Sequence, residues 1–276
     1  MGARREYYMS DTNPEVTPMS DLSDDELVQA AFDHIREKDA EAGVVASFVT
    51  PANVVEVAQA MASDPAEAEA LANQALEDAL ADEEGPKQPE PTLDLLLEGL
   101  SEASRRTRQN TAHEIAEIAK VRPQMLLDKV DVLVDAVGRP EAQTRWEVLN
   151  ALTAIATLDP AACTGAIDAA ETALFDEGSS MVRLAGFRLL IAEGLSTPEL
   201  ASQVWPLLDE AIQCYHGDPE YRNMLTALVE FAAGPAPQDV REALASRVAF
   251  DSEKSTLPYI RAFSKDIVEA CQAPRN

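Results

Sequence analysis

Cys214 and His216 stand two residues apart in QCYHGD (213–218), the one place in the chain where a thiol and an imidazole are near neighbours in sequence. Cysteine–histidine nucleophilic chemistry needs those groups within hydrogen-bond reach. Zinc needs four protein ligands, or three and a water, so a lone C-x-H pair offers too little. A solvated turn is the plainer reading. His34, His113, Cys163 and Cys271 are scattered and suggest neither a metal knuckle nor a disulfide framework. The acid clusters Asp24-Asp25-Glu26 and Asp82-Glu83-Glu84 lack the alternating spacing of a calcium loop. They read as a helix N-terminus and a solvated linker. No glycine-rich phosphate loop, G-x-S-x-G elbow, H-E-x-x-H or G-x-G-x-x-G occurs, so no catalytic residue, cofactor or metal is assigned.

The charge balance narrows the partners. The 276 residues carry 49 acids against 22 bases, a formal charge of −27. That excludes a basic nucleic-acid binder, and no apolar run approaches the roughly 18 residues that a membrane helix needs. The expectation is a cytoplasmic protein with reduced thiols, no nucleic-acid partner and no membrane partner. Only 6 of the bases are Lys and 16 are Arg. The composition resembles proteins of salt-accumulating microbes, which implies a halophilic archaeal source. A dense carboxylate surface stays hydrated in molar salt, where a Debye length of about 3 Å screens self-repulsion. The alternative is an acidic surface that recruits a basic partner. Residues 1–20, polar and without periodicity, read as a disordered tail in which Met1, Met9 or Met19 is the start.

One residue type recurs with regular spacing: Arg108, Arg145, Arg183, Arg222 and Arg261, at intervals of 37, 38, 39 and 39. Proline follows each of the first four by 15 residues, at Pro123, Pro160, Pro198 and Pro237, and follows the fifth by 13, at Pro274. The residues 3, 7 and 10 beyond the arginine are mostly apolar, as in Val148, Leu152 and Ile155, which is one face of an α-helix. Proline then sits in the first turn of a following helix, where its missing N–H does no harm. That helix is clearest in PQMLLDKVDVLVDAV (123–137). A hairpin of this size cannot bury both faces alone, so neighbours must stack into one continuous core.

The segment DEGSSMVRLAGFRLL (176–190) resembles a HEAT repeat, in which an acid precedes a V-R-x-A-small pattern, and 141–156 and 104–119 are weaker versions. Units four (219–233) and five (257–271) lack the small residues after the arginine. The resemblance implies an all-α fold, a right-handed α-solenoid of about five HEAT-like hairpins over 92–272. Residues 21–84, with helices over 22–38, 50–63 and 65–83, read as an acidic N-terminal helical cap, or else as an independent interaction module. The proline-rich stretch 85–91 reads as the linker.

In HEAT-like units an arginine at this place ties its helix to the preceding turn, so Arg108, Arg145, Arg183, Arg222 and Arg261 read as a structural ladder rather than an anion-binding stripe. Glu141 is the expected partner of Arg145, and Asp176 or Glu177 that of Arg183. The resemblance also places the arginine helices on the concave side, with positions 1, 4, 5 and 8 beyond the arginine facing outward. Those positions hold Trp146, Leu149, Asn150 and Thr153 in one unit, Leu184, Phe187, Arg188 and Ile191 in the next, and His113 in the first. An aromatic and aliphatic cluster with one arginine has the composition of a protein-binding hot spot. The expected function is a non-enzymatic scaffold or adaptor that binds a protein partner, or a second copy of itself, in this groove. A lyase or modifying-enzyme role is the alternative, because HEAT-like proteins include bilin lyase subunits.

Overall fold

The computed structural model describes residues 18–41 and 91–274, and every regular element among them is a helix. The helices expected over 50–63 and 65–83, and nearly all of the linker at 85–91, lie outside the described residues. The tail needs one correction at its end. Met19–Asp21 forms a 3-10 turn, held by the Arg122 guanidinium, which donates to the carbonyls of Ser20 at 3.3 Å and Leu22 at 2.5 Å.

Helix α1 (Asp24–Glu41) follows, starting two residues later and ending three residues later than the 22–38 that its periodicity suggests. Its start is a capping box: the N–H of Ser23 donates to Glu26 Oε2 at 2.8 Å, and the N–H of Glu26 donates to Ser23 Oγ at 3.3 Å. After the gap come α2 (Leu93–Glu98) and α3 (Arg105–Val121). A 3-10 stretch (Pro123–Lys129) and α4 (Val130–Ala136) then lead into α5 (Ala142–Leu158). The helix expected over 123–137 is therefore 3-10 for its first half. Next, α6 (Pro160–Cys163) and α7 (Ile167–Leu174) lead into α8 (Ser180–Gly194). Four more helices follow: α9 (Pro198–Cys214), which packs back on α8, α10 (Tyr221–Ala233), and the hairpin of α11 (Gln238–Lys254) with α12 (Pro258–Gln272). Side-chain caps at Ser104, Asp159, Ser179 and Thr197 satisfy the first free N–H groups of their helices.

The arginine helices α3, α5, α8, α10 and α12 pack side by side in chain order, and the proline helices lie behind them. This is an α-solenoid. Its core follows the repeat: the third residue after each arginine is buried (Thr111, Val148, Gly186, Leu225, Ser264), and so is the tenth (Ile118, Ile155, Glu193, Ala232, Cys271). Gly186 is needed where α8 meets α7. A Cβ there would stand 2.7 Å from the Ala170 carbonyl oxygen and 2.9 Å from the Leu174 backbone nitrogen. The last helix buries only one stripe, Ile260, Ser264, Ile267 and Cys271, and its exposed Arg261, Lys265, Asp266 and Glu269 give the stack a polar end.

The arginine ladder connects consecutive repeats. Arg108 makes two hydrogen bonds to the Glu141 carboxylate, Arg145 pairs with Asp176, and Arg183 pairs with Glu220. Each acid lies 31 to 37 residues ahead of its arginine, in the turn that opens the next arginine helix. The partners expected from sequence are thus corrected by one repeat, because the side chain leans toward the helix stacked beside it. The preceding turn is still reached through backbone: Arg183 donates to the Asp176 carbonyl at 2.9 Å and Arg108 to that of Ala103 at 2.9 Å. Asp176 is a junction, because its carboxylate takes Arg145 while its carbonyl takes Arg183. Arg222 has no such acid among the described residues and lies over the Tyr259 ring, 5.9 Å from its centroid. Arg261 donates to the Ser255 carbonyl at 3.1 Å.

Candidate functional site

The side-by-side stacking decides which outward positions stay accessible. Helix α8 has a neighbour on both flanks as well as α7 and α9 behind it. It is consequently apolar nearly all round, with Val182, Leu184, Ala185, Phe187, Leu189, Leu190 and Ile191 buried. Only a narrow stripe of it, including Arg188 and Ala192, faces out.

That stripe forms the floor of a recess of about 700 Å³ that crosses three consecutive repeats. Thr153, Ala156 and Thr157 of α5 form one wall, and Asn223, Thr226, Ala227 and Glu230 of α10 the other. Between them lie Arg188, Ile191, Ala192, Leu195 and Ser196. The last turns of α5 and α8 end at this recess, and Pro160, the first residue of α6, lines it as well. Arg188 and Glu230 are exposed and make no ion pair or side-chain hydrogen bond among the described residues.

The residues singled out from the sequence divide. Arg188 lines the recess, together with Thr153 and Ile191. Phe187, Leu149 and Leu184 do not: their exposures are 0, 0 and 4%, and they fill the seams between adjacent arginine helices. They are core residues, which corrects their assignment as partner contacts. Trp146 is half-buried against the core, and neither it nor the half-buried Asn150 lines the recess. His113 is held elsewhere, with Nδ1 3.2 Å from Glu147 Oε1 and its ring 6.4 Å from that of His34 on α1. Helix α1 covers this end of the layer. His34 Nδ1 lies 2.6 Å from Glu114, Arg106 pairs with Asp39, and Leu27, Val28 and Ala31 are buried. The hydrogen bond that His113 donates to the Glu147 carboxylate raises the His113 pKa, while burial raises that of Glu114.

His216 binds Asp251, 2.9 Å away, and stacks near Tyr221. Among the described residues no group of three His, Cys, Asp or Glu side chains is arranged to hold a metal ion. Burial pushes the Cys163 thiol up to about 12, the opposite of an activated nucleophile. The residues missed from the sequence are Asn223, Thr226 and Glu230. Their unit lacks the small-residue pattern that marks the repeat, but the same offset of eight that marks Thr153 and Ile191 reaches Glu230.

No family model matches the chain, and no curated protein matches it. Among solved structures, a computationally designed armadillo repeat protein for modular peptide recognition aligns at 15% identity and TM-score 0.54, covering 89% of this chain and 98% of its own. A designed armadillo repeat protein in complex with the peptide (KR)4 aligns at 14% identity and TM-score 0.54, covering 79% and 99%. An archaeal HEAT-like repeats protein from Thermococcus onnurineus NA1 aligns at 15% identity and TM-score 0.49, covering 91% and 97%. The fold is the α-solenoid of those armadillo repeat proteins. Among the described residues no helix is long and apolar enough to cross a membrane.

One buried group has a consequence for stability. Glu193 occupies the core position that holds Ile118 and Ile155 in the preceding repeats, and both its carboxylate oxygens lack a hydrogen-bond partner among the described residues. Burial pushes it up to about 7. The folded chain then keeps a proton that the unfolded chain releases near pH 4.5, so stability falls as pH rises between those values. We expect Glu193→Leu to match the parent near pH 4 and to exceed it at pH 8 by about 3 kcal/mol, measured by urea unfolding at both pH values. An equal difference at the two pH values would contradict this.

Proposed function

We propose that this chain is a non-enzymatic adaptor that docks an extended segment of a partner protein in the recess across α5, α8 and α10. The observation that carries this reading is the pair Arg188 and Glu230, exposed in a recess spanning three repeats, with no ion pair or side-chain hydrogen bond among the described residues. A lone surface charge needs no partner, but two opposite charges in one recess with small side chains between them suit a chain laid across the helices. The designed neighbour that holds (KR)4 supports the same use of this fold. Filling the floor tests the proposal. Peptides selected from a display library on the purified protein should bind Ala192→Trp at least about tenfold more weakly, with helical circular dichroism unchanged. Selected peptides that bind both proteins equally, or a library that yields none, would overturn it.

The setting we propose is the cytoplasm of a halophilic archaeon, on the strength of the −27 charge and the arginine-rich bases. Helical circular dichroism should then rise from dilute buffer to molar KCl, where the Debye length shrinks to about 3 Å. A signal equal in both would remove that setting and leave the adaptor reading intact.

A further inference from the structure

The sixth residue after each ladder arginine is buried in all five repeats: Glu114, Ala151, Leu189, Leu228 and Ile267. Four of these are apolar and have no proton to lose. Glu114 is an acid at 4% exposure, and what it meets is α1, which runs antiparallel to α3. Arg122, just past the end of α3, donates to Asp24 Oδ1 at 2.5 Å, at the start of α1. Arg106, in the first turn of α3, donates to Asp39 Oδ1 at 3.1 Å, near the end of α1. Between these two anchors His34 Nδ1 lies 2.6 Å from Glu114 Oε1. Leu27, Val28 and Ala31 are the buried apolar residues of α1. The seam between α1 and α3 is therefore built differently from those between the arginine helices, with a titratable pair where the later repeats place an aliphatic side chain.

The charged groups around this contact come from four helices. On α1, Lys38 acts on Glu114 together with His34. On α3, His113 does so too, and it is itself held by Glu147 of α5 and influenced by Glu117. Helix α2, which also touches α1, brings Asp94, paired with Lys129, and the exposed Glu98. A buried carboxyl is tolerable when protonated or beside a protonated imidazole, and costly once neither proton is present. We infer that α1 is a proton-latched cover on α3, docked while Glu114 and His34 hold a proton between them and loosened as rising pH removes it. Burial pushes the Glu114 carboxyl above its ordinary range, so the docked chain binds more protons than the undocked one. Docking then weakens as pH rises. Undocking bares Leu27, Val28, Ala31 and the flank of α3, so acidity decides whether the first repeat ends covered or open.

Hydrogen exchange of the α1 amides, followed by mass spectrometry at about pH 6 and about pH 8, tests the latch. Rates are divided by those of an unstructured chain at each pH, so that they report opening alone. The full-length Glu193→Leu chain serves as the reference, which removes the core carboxylate as a second source of pH dependence, and Glu114→Gln and Glu114→Leu are each added to it. We expect protection of α1 in the reference to fall about tenfold from the lower to the higher pH, and by less than about twofold in either Glu114 variant. At the higher pH, Glu114→Gln should thus protect α1 about tenfold better than the reference does. A reference whose protection does not change with pH, or a fall that persists in either Glu114 variant, would overturn the inference. So would an α1 without measurable protection at the lower pH.

Discussion

The first three arginine helices are each tied to the next repeat by a guanidinium that reaches an acid in the turn opening that repeat. Arg108 to Glu141, Arg145 to Asp176 and Arg183 to Glu220 are successive links of one relay. The acids are nearly buried, and Glu220 is 3% exposed at its side chain. A carboxylate so placed is tolerable only while its cation is present. Arg108 accordingly holds the Glu141 carboxyl below the usual carboxylate range. Repeats stacked by apolar contact alone would be free to slide, because apolar attraction has no direction. A bidentate or hydrogen-bonded ion pair does have one, and it fixes the offset between neighbouring helices.

That offset makes the recess. With α5, α8 and α10 held side by side, the flanking positions of each helix close into seams, and Phe187, Leu149 and Leu184 vanish into them. What stays open is a stripe one residue wide per turn, populated by Thr, Ala, Asn, Arg and Glu. The threonines and Ser196 bond back to their own helices, so toward the recess their hydroxyl oxygens can only accept. The relay breaks down at Arg222, where a ring replaces the acid. The recess ends at that helix.

The repeat was legible because its marks are local. Arginine spacing, proline at the start of the following helix and the stripe three, seven and ten residues on all describe one hairpin, and the helices α3 to α12 follow them, except that Pro123 opens a 3-10 stretch, Pro237 caps α11 from outside, and Val229 and Val268 are half-buried. The partner of each arginine was not legible. Asp176 precedes Arg183 by seven residues and sequence proximity favours that pair, yet its carboxylate belongs to Arg145. The outward face was misread for a related reason. A helical period shows which residues point away from the hairpin core, but not that a second helix lies against them, so Phe187 looked exposed and is buried. Arg188, one position further round, escaped both neighbours. Glu193 broke the stripe in plain view, as the one acid at a position otherwise held by Ile118, Ile155, Ala232 and Cys271.

A double-mutant cycle on Arg183 and Glu220 tests the relay most directly. Arg183→Met, Glu220→Gln and the double variant are compared with the parent by urea unfolding, with the cycle cancelling the contact of Arg183 with the Tyr215 ring at 4.9 Å and its bond to the Asp176 carbonyl. A relay that fixes the stack predicts a coupling energy of about 2 kcal/mol or more between the two sites. Substitutions that add to within about 0.5 kcal/mol would show that apolar packing alone sets the register of the repeats.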